Sequence, residues 1–420
     1  MSHVFHETNE KRSDMPELLA PAGDHASLRT AAMCGADSVY FGTKVMNMRD
    51  SAGNFELSEL GNVMDFLHSR GMKGYLTLNT IVYNSELPKV RRVLEAAKSA
   101  AVDAVICWDA AVISIAKELG IPIHLSTQAS VSNIAALKFY ANLGVSRVVL
   151  ARECSLKDIR EIHDAAVADR VNCELEVFVH GAMCVSESGR CFMSTSAFGK
   201  SANRGRCIQP CRRLYRITDV EDAANSYVIG EDYVLSPKDL CMIEHLDKLR
   251  DAGVSAFKIE GRSRSADYVK ATVSCYRTAM DAFSDGSVTP AMLEGLKAEL
   301  ADAYNRGFSE GFYFGLDDDW ISPGPQSRVM KVFCGEVVNF YNRIGVAEFL
   351  IRAGTLKVGD RILVYGKNTP AEYADVGEIQ VEHEPVDSVS RGERCGIKLP
   401  FTVRPKDKLF IIREKEQQVR

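Results

Sequence analysis

The chain has 420 residues, 46% of them apolar and 25% charged, and a net charge of −5. That length allows more than one folded core, and the acidic balance excludes a protein that coats nucleic acid through a general positive field. The first sixteen residues are polar, and no apolar run approaches the roughly eighteen residues that cross a bilayer, so a cytoplasmic chain with no membrane segment is expected.

Past a polar tail at residues 1–16, β-rich runs alternate with amphipathic helical stretches. Strands are predicted at Leu18–Pro21, Ser38–Phe41, Gly74–Leu78, Ala104–Cys107, Ile123–Ser126, Arg147–Leu150, Leu175–Val179 and Ala256–Ile259. Between them, Leu57, Leu60, Val63, Met64 and Leu67 recur near the 3.6-residue period of a helix over Leu57–Ser69, and Leu156–Ala166 behaves similarly. Gly35, Gly71, Gly144 and Gly253 fall where helices should stop. Eight such units predict an α/β fold, a (β/α)₈ TIM-like barrel with some distortion, over residues 17–322. Working residues of that fold gather at the C-terminal strand ends, where Asn79, Asp109, Gln128, Arg152, Glu153, His180, Glu260 and Arg262 stand.

One connection is far longer than usual for a compact domain, a Cys-rich insertion at 184–232. A helix is predicted near Pro290–Arg306, followed by a Ser322-Pro323-Gly324-Pro325 join. From about residue 328 to 414 the pattern turns β-rich, with glycine turn signals and alternation in Arg361–Tyr365. A small antiparallel β-barrel is expected there, resembling the second domain of translation elongation factors at the level of fold alone.

The insertion carries Cys184, Cys191, Cys207 and Cys211, spaced Cys-x6-Cys-x15-Cys-x3-Cys. In a reducing compartment disulfides do not persist, so a metal or cluster is the expected use. Four soft thiolates suit a [4Fe-4S] cluster, and structural zinc is the alternative, although only Cys207 and Cys211 approach a zinc knuckle. A radical S-adenosylmethionine site fails, because Leu214 stands where its third cysteine belongs. Cys241 is a substitute ligand if one of the four does not bind. Between Arg190 and Arg216 the chain has seven basic and no acidic residues, a local +7 against −12 elsewhere.

Glu176-Val-Phe178-Val-His180-Gly181-Ala182-Met183-Cys184, continuing through Gly189-Arg190-Cys191-Phe192-Met193-Ser194, resembles without a gap the signature of the collagenase-like peptidase family, number 32 of the unassigned class. Glu17–Gly23, Leu125–Ala129, Val148–Glu153, Ser236–Leu240, Lys258–Arg262 and Arg306–Phe312 extend the resemblance over nearly the whole chain. Cys207-x3-Cys211-Arg212 and the terminal β-barrel look most like the tRNA hydroxylation branch. That resemblance implies 5-hydroxylation of the wobble uridine of tRNA, drawing on prephenate rather than dioxygen, with the four cysteines holding [4Fe-4S].

Under that reading tRNA and a small acidic oxygen donor such as prephenate are the expected partners. Glu153, His180 and Glu260 are the candidate catalytic residues. Asn79, Gln128, Arg152 and Arg262 are candidates for the donor, and Arg204, Arg206, Arg212 and Arg213 for phosphates, with Tyr215 or Phe198 stacking on an unpaired base. Several of the arginines could instead offset the charge of the cluster. Two alternatives stay open: a peptidase, for which neither a His-Glu-x2-His helix nor a Gly-x-Ser-x-Gly elbow is present, and a non-catalytic iron-sulfur scaffold that presents RNA to a partner protein.

Overall fold

The computed structural model describes residues 15–415 except 214, 223, 225, 230–234, 316–320 and 323. Most of the expected N-terminal tail, the end of the insertion and Pro323 of the join therefore lie outside the described residues.

The predicted barrel forms. Strands β1 (Glu17–Ala22), β2 (Ser38–Gly42), β3 (Lys73–Thr77), β4 (Ala104–Cys107), β5 (Ile123–Leu125), β6 (Val145–Val149) and β7 (Glu174–Ala182) pair in parallel, each with the next. After a hairpin, β8 (Tyr215–Thr218) and β9 (Ser226–Ile229), and a short strand β10 (Asp239–Cys241), comes β11 (Ala256–Ile259). It pairs with both β7 and β1 and closes a ring of eight parallel strands. These strands read as continuous apolar runs because they are covered on both faces; β2 and β4 are buried at every position.

The helices lie outside: α1 (His25–Met33), α2 (Leu60–His68), α3 (Leu87–Ser99), α4 (Ala110–Leu119), α5 (Ile134–Asn142) and α6 (Leu156–Ala168), then a short α7 (Met193–Phe198) in the insertion, α8 (Leu246–Asp251), α9 (Ala266–Asp285) and α10 (Pro290–Asp302). Capping explains several starts. Ser155 accepts the Asp158 amide and Asp158 returns the bond to Ser155, a capping box opening α6. Asp109, expected at a strand end as a working residue, is the N-cap of α4 and accepts the Ala111 amide at 2.9 Å.

Inside the ring the packing is partly ionic. Lys258 meets Glu176 at 2.6 Å, and Arg147 bridges Glu176, Glu174 and Glu17. Glu176 is fully buried and Lys258 and Arg147 nearly so. With Lys73, 3.6 Å from Glu17, three positive and three negative groups balance here, roofed by Tyr40 and Tyr75.

Strand β7 runs beyond the ring and binds β10 antiparallel, Cys241 opposite His180 and Asp239 opposite Ala182. Short β12 (Phe308–Ser309) then adds to β10. The overrun is possible because Gly181, at φ +105°, has no side chain; a Cβ would stand 2.4 Å from the Glu260 carbonyl oxygen. It carries Cys184 to the C-terminal end of the ring.

From Val329 the chain forms an eight-stranded antiparallel sheet and a two-stranded ribbon, Thr355–Lys357 with Ser388–Ser390, around a second core. Among the described residues no ladder joins the sheet's outer strands, so the expected small barrel is seen as an antiparallel sheet, with Leu356 and Val389 of the ribbon buried in the same core. This unit packs on α1 and α9 through Ala26, Ala266, Leu363, Ala371 and Phe410. Thr30 Oγ1 accepts the Ala371 amide at 2.9 Å, and Lys270 pairs with Glu372. No helix among the described residues is long and apolar enough to cross a membrane.

Candidate active site at the barrel mouth

The C-terminal strand ends surround one cavity. Asn79, Gln128, Arg152, Glu260, Arg262 and Arg212 line it, and so do Cys184, Cys207 and Cys211. Residues from β2, β3, β4, β6, β7 and β11, with Ser126, Thr127 and Gln128 just past β5, thus meet the insertion at one point, as the barrel geometry requires.

Glu260 is the centre of a charge cluster. Arg49, from the connection after β2, reaches it with Nε at 3.2 Å and Nη2 at 2.9 Å. Burial alone would raise the Glu260 carboxyl, but Arg49, Arg152 and Arg262 outweigh it and hold it at about 2. The carboxylate is therefore ionised at neutral pH and has no proton to donate.

Three guanidinium groups around one carboxylate leave an excess of positive charge. Among the described residues Arg262 donates to neutral oxygens, Thr77 Oγ1 at 2.7 Å and Asn47 Oδ1 at 3.4 Å. Burial first, and Arg49 second, push its pKa down to about 10. Arg152 donates to the Ala182 carbonyl at 2.9 Å and lies 4.0 Å above the Phe178 ring, while its buried Nε has no partner among the described residues. Buried cations held by neutral partners are costly and await an anion.

The cysteines approach this cluster from above. Cys191 Sγ accepts the Met193 amide and Cys207 Sγ the Gln209 amide, both at 3.4 Å, which aims the sulfurs. Burial raises the Cys211 thiol, Arg212 lowers it, and Cys184, Cys207 and Cys191 each raise it further, so the other three cysteines act on Cys211. Among the described residues no three His, Cys, Asp or Glu side chains are drawn tightly enough together to hold a single metal ion. The donor set itself, four soft thiols, fits iron-sulfur or zinc.

The other expected site residues stand elsewhere. His180 is buried among Tyr276, Phe308 and Tyr268, with Nδ1 3.3 Å from the Tyr276 hydroxyl, and does not line the cavity. Burial pushes its pKa down to about 3, so it is neutral at physiological pH. Glu153 is exposed and outside the lining. Cys241 is buried on β10 beside Tyr276 and is likewise outside it.

The basic residues of the insertion are mostly engaged. Arg204 pairs bidentately with Glu86, and Arg206 with Asp50 at 3.1 Å. Arg212 donates to the Met183 carbonyl and Ser236 Oγ, and Arg190 to the Gln128 carbonyl. Arg213, by contrast, has no carboxylate partner among the described residues and stacks on Phe198 at 4.4 Å. These contacts clamp the insertion over the mouth.

The model described as peptidase family U32 matches residues 23–320, the barrel with its insertion. The chain belongs to peptidase family U32. Among its relatives, an uncharacterized protease of Methanocaldococcus jannaschii is 44% identical over 406 residues, covering 95% of this chain and 99% of that one. A collagenase of Porphyromonas gingivalis is 38% identical over 410 residues, 96% and 99% of the two chains. The tRNA hydroxylation protein P1 of Bacillus subtilis is 36% identical over 358 residues, 84% and 83%.

Several members of this U32 site escape sequence reading. Arg49 lies in a loop with no local pattern, and only its distant partner Glu260 gives it meaning. Lys258 and Tyr40 sit inside strands and look like ordinary strand residues. The signal available was a charged residue at an inward-facing position of a barrel strand, which Lys258 supplies.

Proposed function

We propose that this U32 protein hydroxylates RNA, and specifically that it is an iron-sulfur protein for 5-hydroxylation of the tRNA wobble uridine with a prephenate-derived donor. The observation that carries the reading is that three of the four insertion thiols line the same cavity as the under-neutralised guanidinium groups of Arg49, Arg152 and Arg262. A redox centre and an acid-binding site side by side are what a carboxylate-borne oxygen donor requires. The relative named tRNA hydroxylation protein P1 supplies the substrate class.

Cys184, Cys191, Cys207 and Cys211 would hold the cluster. A cluster has four separate iron corners, so its ligands need not converge on one point as zinc's sulfurs must at about 2.3 Å, and among the described residues no three such side chains converge. Bound there, the cluster supplies one-electron chemistry. Arg152 and Arg262 bind the carboxylates of the donor, Glu260 holds Arg49 in place, and Gln128 and Asn79 offer neutral hydrogen bonds beside them.

The names collagenase and protease among the relatives keep a hydrolase in view. The cavity lining weighs against it. Among the described residues it contains no histidine, so no thiol there has an imidazole base, and its one carboxylate is locked in ion pairs. A non-catalytic scaffold presenting RNA to a partner would share the thiols and not the need for an acid site.

The test is nucleoside analysis by mass spectrometry of tRNA from a deletion strain. Wild-type chain should restore 5-hydroxyuridine, and Cys191→Ala or Arg262→Ala should lower it by at least tenfold. Full restoration by Cys191→Ala would remove the iron-sulfur reading. Reconstitution with purified chain, tRNA and prephenate separates enzyme from scaffold.

A further inference from the structure

Two exposed aromatic rings flank the mouth from opposite sides. In the order of the ring, β11, β1, β2, β3, β4, β5, β6, β7, strands β3 and β7 stand half a turn apart. Tyr83 belongs to the connection after β3, and Tyr304 follows α10 beside β10, the strand paired with β7.

Each ring is braced by a fixed guanidinium. Arg204 lies 4.9 Å from the Tyr83 centroid, and it is itself anchored on the Ile81 carbonyl at 2.6 Å and on Glu86. The Tyr83 amide donates to the same Glu86 carboxylate at 3.0 Å, so ring, brace and loop form one unit. On the far side Arg264, a cavity-lining residue, lies 4.1 Å from the Tyr304 centroid, and Arg306 lies at 5.0 Å. Arg306 is buried and tied to Asp239 at 3.2 Å.

A ring recruited only to pin a loop would be covered. Tyr83 is 55% exposed and Tyr304 37% exposed, so both keep accessible surface beside a rigid cationic partner. Arginine-backed aromatic rings at the rim of a positive cavity are the elements that hold unpaired nucleic acid, because every base offers a π-face.

We propose that Tyr83 and Tyr304 are positioning residues that stack the nucleotides on either side of a base drawn into the mouth. The inference rests on the RNA reading above and deepens it. It also reassigns Arg204 from a phosphate contact to the brace of a stacking ring. A strand held at two opposite points of the rim is stretched across the opening, which helps offset the unstacking of the base between them.

The test uses the full chain and a tRNA anticodon stem-loop, labelled with fluorescein for anisotropy and, separately, with 2-aminopurine next to the wobble position. Tyr83→Ala and Tyr304→Ala should each weaken binding about tenfold, within the range for loss of one stacked base. The Tyr→Phe variants should bind within about twofold of wild type. Binding to wild type should quench 2-aminopurine, and at saturating protein one alanine variant should restore its emission; thermal midpoints equal to that of the Phe variants establish folding. Wild-type binding with both alanine variants unchanged would overturn the stacking role and leave the RNA reading standing. A wild-type chain that ignores the stem-loop would overturn both.

Discussion

Glu17 and Glu260 show how a single carboxylate comes to govern this fold. Each is buried, which by itself would raise its pKa, and each is instead held at about 2: Glu17 by Arg147 with help from Ser38 and Tyr75, Glu260 by three arginines. Both values lie below the ordinary 4.5. The stabilisation is therefore full above pH 4.5 and is withdrawn as the pH falls from there towards 2, on the order of 3 kcal/mol for each group. Urea titrations between neutral and acid pH should show this loss, with a shallower acid limb in Glu17→Gln; an equally steep limb would remove Glu17 from the account. Lys258 makes a second case. Lys258→Met strips Glu176 of its 2.6 Å partner inside the ring and should cost about 3–5 kcal/mol. Adding Glu176→Leu should return part of that loss, whereas an additive double variant would mean that the pair is not coupled.

At the scale of elements, the connection after β2 ties the site together. Arg49 grips Glu260, and the next residue, Asp50, takes Arg206 and donates its amide to the Gly205 carbonyl at 3.2 Å. Gly205 has φ +83°, and a Cβ there would stand 2.2 Å from the Asn47 carbonyl oxygen. Gly199, also left-handed at φ +65°, has open space around it. Alanine at either position costs about 1–3 kcal/mol of backbone strain, but only Gly205→Ala also drives the insertion away from the loop. It should lower the thermal midpoint more than Gly199→Ala does and speed alkylation of Cys207; equal behaviour of the two would mean the contact does not hold the insertion. The barrel strands were legible because burial on both faces writes continuous apolar runs, and the cysteines were legible because thiols are scarce and their spacing is short-range. Arg49 was not, since its role depends on a partner 211 residues away. Strand β10 was hidden too: Asp239–Cys241 is three residues long and owes its strand form to the β7 overrun rather than to propensity. His180 illustrates the opposite failure, a polar residue at a strand end whose side chain turns into an aromatic cluster instead of the cavity.

The whole molecule contains two cores joined by a small apolar contact. Ala371 is fully buried between the C-terminal sheet and α1, beside Ala26, Leu363 and Phe410. Ala371→Asp would place a carboxylate there and should cost several kcal/mol, about the penalty for burying an unpaired polar group. Calorimetry should then resolve two transitions where wild type gives one. A single unchanged transition would show that the docked arrangement does not depend on this contact. The expectation of two β-bearing units was readable from the change of period near residue 328, whereas the docking face was not, because alanines in a helix carry no label for what will cover them.

The insertion enters the chain between β7 and β11, and most of its anchors, Asp50, Ile81, Glu86, Gln128 and Ser130, belong to segments that precede it. A ribosome therefore delivers the cradle first, the sulfurs next and the strand that shuts the wheel last. Until Ile259 has emerged the circle has a gap, and all four thiols are already outside. For the cluster proposed above, loading of these thiols can precede closure of the ring.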